Sequence, residues 1–148
     1  MLVFQPMTTS KVASITIIAV CQVAAMALWF SASAAVPALV AEYQLSGFAQ
    51  AALTSGVQAG FVVGCLASAA LGLPDRIDPR RLFAVSATVG AAANGLLLAV
   101  DPTSIAVPAL RVVTGIAMAG VYPVGMKLAS TWARGDMGLM VGLLVGAL

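Results

Sequence analysis

No charged residue occurs between Val12 and Ala41, and that single fact limits what the chain can become. A helix needs about 20 residues to cross the ~30 Å hydrocarbon layer of a bilayer. The run is long enough to do so with residues to spare. Uncharged stretches recur over residues 43–74 and 82–100, each bounded by a short polar segment. The pattern predicts an all-α, polytopic membrane helix bundle. Complete spans are expected at about residues 12–40, 48–73, 82–100 and 104–129, and the start of a fifth at 137–148. The first turn falls at Ser46-Gly47 and the third at Asp101-Pro102-Thr103. The last apolar run has too few residues to span, so the chain reads as a fragment or truncated gene product.

Composition excludes the soluble alternatives. The chain is 61% hydrophobic and 8% charged, against roughly 25% charged in an average soluble domain. That much apolar surface has no place in water, whereas lipid acts as its solvent and becomes its first partner. A secretory signal peptide is the competing reading of the first run, since Lys11 precedes it and Ala32-Ser33-Ala34 resembles a cleavage site. The apolar stretch exceeds the ~7–15 residues of a signal h-region, and further spans follow it.

Basic residues set the orientation. Lys11, then Arg76, Arg80 and Arg81, then Lys127 and Arg134 fall at alternate ends of the spans, and the segments around Glu42 and Asp101 carry no basic residue. Lysine and arginine stay on the cytoplasmic side during insertion, which places the N-terminus in the cytoplasm of a plasma membrane, in bacteria the inner membrane. The scattered cations form no stripe that would track a phosphate backbone, so nucleic acid is not an expected partner. With no histidine, and Cys21 and Cys65 inside apolar runs, no metal, cofactor or disulfide framework is expected. There is no buried carboxylate pair and no G-x-S-x-G or H-E-x-x-H arrangement, so an intramembrane enzyme is disfavoured.

The candidate functional residues are the polar ones at membrane depth. Arg111 lies inside the fourth span, where a guanidinium costs at least about 2.5–3.5 kcal/mol to insert and needs a partner or a cavity. Anion attraction, proton coupling or gating is the favoured reading. A structural arginine bonded to backbone carbonyls of a neighbouring helix is the alternative. Gln22, Gln58 and Asn94 could bond another helix or a solute. Trp29, Phe30 and Tyr122 could line a cavity, and Pro123 should bend the fourth span. The loop of residues 72–81, GLPDRIDPRR, concentrates two acids and three bases. It is either a solvated anchor or a conformational latch in which Asp75 or Asp78 caps the third span and pairs with arginines such as Arg76 and Arg80. Gly56, Gly60 and Gly64 recur every fourth residue, and Gly115 lies in the fourth span, which predicts close helix contact. The same spacing returns at Gly138, Gly142 and Gly146.

Together these features resemble the N-terminal part of a major facilitator superfamily transporter. The family signature between its second and third helices is G-x-L-x-D-R-x-G-R-K, and Leu73, Asp75, Arg76 and Arg80 fall on matching positions. Leu71 stands in place of the first glycine, Asp78 of the second and Pro79 of the first closing basic residue. A second family pattern, an arginine followed four residues later by glycine, is met by Arg111-Val-Val-Thr-Gly115. The resemblance implies proton coupling at Arg111. It also implies twelve helices in two halves, each made of two inverted three-helix repeats, with a small solute held between the halves. On this reading the missing C-terminal half is a partner, and the 148 residues do not transport alone. The solute path would draw on Gln22, Trp29, Arg111 and Tyr122, and an organic anion or a proton-coupled solute would suit it. Two other classes remain open. One is a small accessory or assembly protein acting through its glycine rows. The other is a four-helix exporter, which normally requires a carboxylate embedded in its first helix, and Glu42 lies too near the outer end for that role.

Overall fold

The computed structural model describes residues 9–133 and 135–146. Arg134, counted above in the charge bias, and the last two positions of the fifth segment lie outside the described residues. The elements are α1 (Thr9–Tyr43), α2 (Gly47–Leu71), α3 (Leu73–Arg76), α4 (Pro79–Leu96) with a 3-10 turn (Leu97–Ala99), α5 (Ala106–Met118), α6 (Tyr122–Ser130) and α7 (Met137–Gly146). No strand occurs among the described residues. Four helical stretches are long and apolar enough to cross a bilayer: Ser10–Tyr43, Gly47–Leu71, Pro79–Ala99 and Ala106–Ser130. At 35 residues α1 is about 52 Å long, well beyond the hydrocarbon thickness.

Local chemistry explains where the helices stop. Gln44 turns the chain at φ 50°, and Ser46 then caps α2 by accepting from the Ala49 amide. The second span ends at Leu71, two residues short of the expected limit, because Gly72 adopts φ 60° and closes the helix in the left-handed region. The freed segment forms the short helix α3, which periodicity alone does not reveal. Asp78 caps α4 by accepting from the Arg80 and Arg81 amides, with Pro79 in the first turn. The Asp101 carboxylate holds the turn before α5 by accepting from the Thr103 amide at 2.7 Å and from its hydroxyl.

The fourth span is two helices. Around residues 119–121 the amides of Ala119, Gly120 and Val121 bond three residues back, to Ile116, Ala117 and Met118. Pro123 in the first turn of α6 has no N–H with which to continue the ladder. The position of the predicted bend is thus a short stretch of i→i−3 bonds between α5 and α6.

Close packing of α2 on α5 forms the backbone of the bundle. A Cβ at Gly60 would lie 2.1 Å from the Val112 carbonyl oxygen, and one at Gly115 would lie 2.0 Å from that of Val57. Gly64 approaches Ile116 and Ala119 almost as closely, at 2.8 Å. At Gly56 the nearest atom is the Arg111 Cβ at 3.1 Å. These glycines let two backbones meet where lipid offers no hydrophobic drive for association. Around that pair, Ala32, Leu45, Leu53 and Val107 form an outer core cluster and Ala25, Met118 and Val121 an inner one. Phe48, Leu66, Leu98 and Ile105 are more than half exposed, as side chains facing lipid should be.

Candidate functional site

Arg111 is fully enclosed, with 0% of its surface exposed. Its Nε donates to the Leu53 carbonyl at 2.9 Å, Nη1 to the Leu28 carbonyl at 3.1 Å and to Asn94 Oδ1 at 3.0 Å, and Nη2 to the Trp29 carbonyl at 2.8 Å. One guanidinium thus ties α5 to α1, α2 and α4 at membrane depth. Asn94 extends the network, its Nδ2 donating to Ser31 Oγ on α1 at 3.1 Å. The arrangement is the carbonyl-bonded one that the sequence left as the alternative. Trp29 contributes its backbone to it, while its ring meets Phe61 edge-on with centroids 5.3 Å apart.

Gln22 lies elsewhere, seven residues and about 10 Å along α1 from Trp29. It is 1% exposed and packs against Gly125 of α6, where an added Cβ would lie 2.7 Å from Gln22 Oε1, with the Phe83 ring beside it. Neither Gln22 Oε1 nor Nε2 has a hydrogen-bond partner among the described residues. A buried amide left so costs about 1–3 kcal/mol. Tyr122 is half-buried at the start of α6, and Phe30 and Gln58 are exposed. The four residues expected to share a path are therefore not brought together: Arg111 meets the Trp29 backbone, Gln22 of α1 packs against Gly125 of α6, and Tyr122 opens α6. Two cavities between the helices are lined by none of the four.

At the end of the bundle that carries the loop of residues 72–81, Asp75 bonds Lys127 rather than an arginine. Lys127 Nζ donates to Asp75 Oδ1 at 2.5 Å and to the Pro74 carbonyl at 2.8 Å, which links α3 to α6 through a pair whose Asp75 side chain is 81% exposed. Arg76 and Arg80 make no ion pair among the described residues, and Asp78 serves as a helix cap. Of Asp75, Arg76 and Arg80, only Asp75 is in an ion pair among the described residues, with a partner 52 positions away. The hydrogen bond and charge of Lys127 hold the Asp75 carboxyl below the ordinary carboxylate range. A depressed carboxyl keeps its contribution at every pH above the ordinary range and loses it only as pH falls through the depressed value. Asp75 should therefore stay ionised between about pH 7 and pH 5. An NMR titration of its side-chain carboxyl checks this, and a midpoint above the ordinary value would contradict the clamp.

A second ion pair at the same end escaped the sequence. Lys11 Nζ donates to Asp136 at 2.7 and 3.0 Å, joining the start of α1 to the residue that opens α7, and the lysine side chain is only 7% exposed. The usable signal was that Asp136 is the sole acid between the fourth and fifth apolar runs. Asp136→Asn should destabilise the bundle by about 3 kcal/mol, because it strands a buried cation. Adding Lys11→Met should recover the part of that loss due to the stranded cation, as measured by unfolding in detergent.

The family model described as Major Facilitator Superfamily matches residues 12–148, nearly the whole chain. The chain belongs to the major facilitator superfamily. It is accordingly a multi-pass membrane protein of the transporter type. Comparison with curated proteins and with solved structures gave no match. In superfamily terms, Asp75 and Arg76 lie in the signature loop and Arg111 with Gly115 in the fourth-helix pattern. The structure turns that arginine inward among backbone carbonyls and docks that glycine against Val57.

Proposed function

We propose that these residues form the N-terminal part of a secondary active transporter that moves a small solute across the plasma membrane by alternating access. In a bacterium this would be the inner membrane, with the N-terminus cytoplasmic. The observation that carries the reading is the divided fourth span. Its lower half, α6, is clamped to the signature loop through Lys127 and Asp75, is set against the unpartnered amide of Gln22, and is separated from α5 by the break before Pro123. A segment hinged at one end and fastened at the other by a charge pair can swing when the pair opens. Superfamily architecture places a solute between two halves, so a second half is required to complete the path.

An organic anion or a proton-coupled solute fits the cationic polar node best. Because Arg111 is enclosed in this arrangement, it acts on solute or proton through a conformation that loosens its carbonyl contacts. The accessory-protein reading loses support at Gly56, Gly60 and Gly64, which are occupied by α5 of the same chain and are not free to meet a partner.

The test is flux in vesicles containing the complete transporter, with organic anions and weak acids screened with and without an imposed pH gradient. Solute accumulation that follows the gradient and weakens in Gln22→Ala supports the proposal. Gradient-independent leakage that Gln22→Ala leaves unchanged overturns it.

A further inference from the structure

A groove of about 410 Å³ opens on the side of the bundle between α2 and α4, with α5 as its floor. Gly64, Ala67 and Ser68 of α2 form one wall, Val85 and Val89 of α4 the other, and Ile116 lies at the bottom. Val85, Val89 and Ile116 are 63%, 46% and 42% exposed, so the groove faces outward from the packed core. Its lining includes Leu73 of α3 and Leu82 of α4, which bracket the signature loop. From Leu82 to Val89 it runs about 10 Å into the membrane.

The loop at that mouth carries more positive charge than its acids can answer. Asp75 is engaged by Lys127, and Asp78 accepts from the first amides of α4. Arg76, Arg80 and Arg81 are all exposed, and none of them pairs with a carboxylate among the described residues. An apolar groove whose lining ends at Leu73 and Leu82, on either side of a loop bearing three arginines, is complementary to one kind of molecule in a membrane, an anionic lipid with its acyl chain inward.

We propose that this groove and the Arg76, Arg80 and Arg81 cluster together bind one anionic phospholipid from the adjoining leaflet, an acyl chain along α5 and the phosphate on the arginines. The site draws on the membrane topology alone and does not depend on which solute is carried. Its occupant would brace the same loop that Asp75 fastens to α6, so lipid charge would bias the clamp.

The experiment is native mass spectrometry of the protein released from phosphatidylcholine vesicles doped with phosphatidylglycerol of the same acyl chains. The wild type should retain one phosphatidylglycerol in preference to phosphatidylcholine. Arg80→Gln with Arg81→Gln should weaken that retention roughly 30-fold, from about fivefold per basic residue at a membrane surface. Ala67→Phe, which fills the groove from an exposed position, should weaken it comparably while leaving detergent unfolding unchanged. Three results would each overturn the proposal: equal retention of both lipids, full retention in Ala67→Phe, and displacement of the lipid by inorganic phosphate or chain-free glycerophosphoglycerol.

Discussion

Gly115→Leu should leave no stable bundle. Even the first carbon of a side chain at this position would fall 2.0 Å from the Val57 carbonyl oxygen and 2.8 Å from the Phe61 amide nitrogen. Both are backbone atoms, so no rotamer change relieves the contact and α2 must separate from α5. Overpacking a core commonly costs about 1–3 kcal/mol, and here the loss of the α2–α5 interface adds to it. Membrane helices have no hydrophobic drive to bring them back together. Unfolding in detergent by a graded denaturant should therefore show a loss above about 3 kcal/mol. Gly60→Ala, facing the Val112 carbonyl oxygen at 2.1 Å, should behave similarly. Gly56→Ala meets only the Arg111 Cβ at 3.1 Å and should be mild, and Gly95→Ala, with nothing within 4 Å, should be neutral. A flat response across the four positions would mean that the helices do not approach as described.

Arg111→Lys should be at least as damaging as Arg111→Ala, contrary to what conservation of charge suggests. The guanidinium gains four charge-assisted bonds to groups on three other helices, each worth about 1.5–3 kcal/mol. Against this stands the desolvation of a buried cation, several kcal/mol after relaxation. The bonds win only because a planar fork reaches Leu53, Leu28, Trp29 and Asn94 at once. Lysine keeps the desolvation cost, but its donors radiate from a single atom and cannot span the same set. Alanine removes both terms, leaving a cavity and an Asn94 Oδ1 without its donor. Each variant should lose about 3 kcal/mol or more in detergent unfolding. A lysine variant as stable as wild type would show that the position needs only charge, and that water reaches it.

Topology was legible because a bilayer demands long uncharged runs, and nothing local to this chain disguises them. The glycine row of α2 and the Pro123 break were legible for similar reasons, since a missing Cβ or a missing N–H has one structural meaning wherever it lies. The site was much less so. Three of the four acceptors of Arg111 are backbone carbonyls, which every residue possesses and no side chain announces. Asp75 found Lys127 and Lys11 found Asp136 across 52 and 125 positions of sequence. Pairing over such separations is set by how the helices assemble, not by spacing. The uncharged run continues to Pro74, so it does not mark the end of α2, which is set by Gly72 turning at φ 60°.

Locking Asp75 to Lys127 tests whether α6 moves against the loop during transport. Cysteines placed at positions 75 and 127, with Cys21 and Cys65 replaced by alanine, would be bridged by a short thiol-reactive linker that reductant removes. The bridge would be made in vesicles of the complete transporter during solute flux. If α6 must swing away from the signature loop in each cycle, bridging stops flux and reduction restores it. Undiminished flux with the bridge in place would contradict the proposed mechanism.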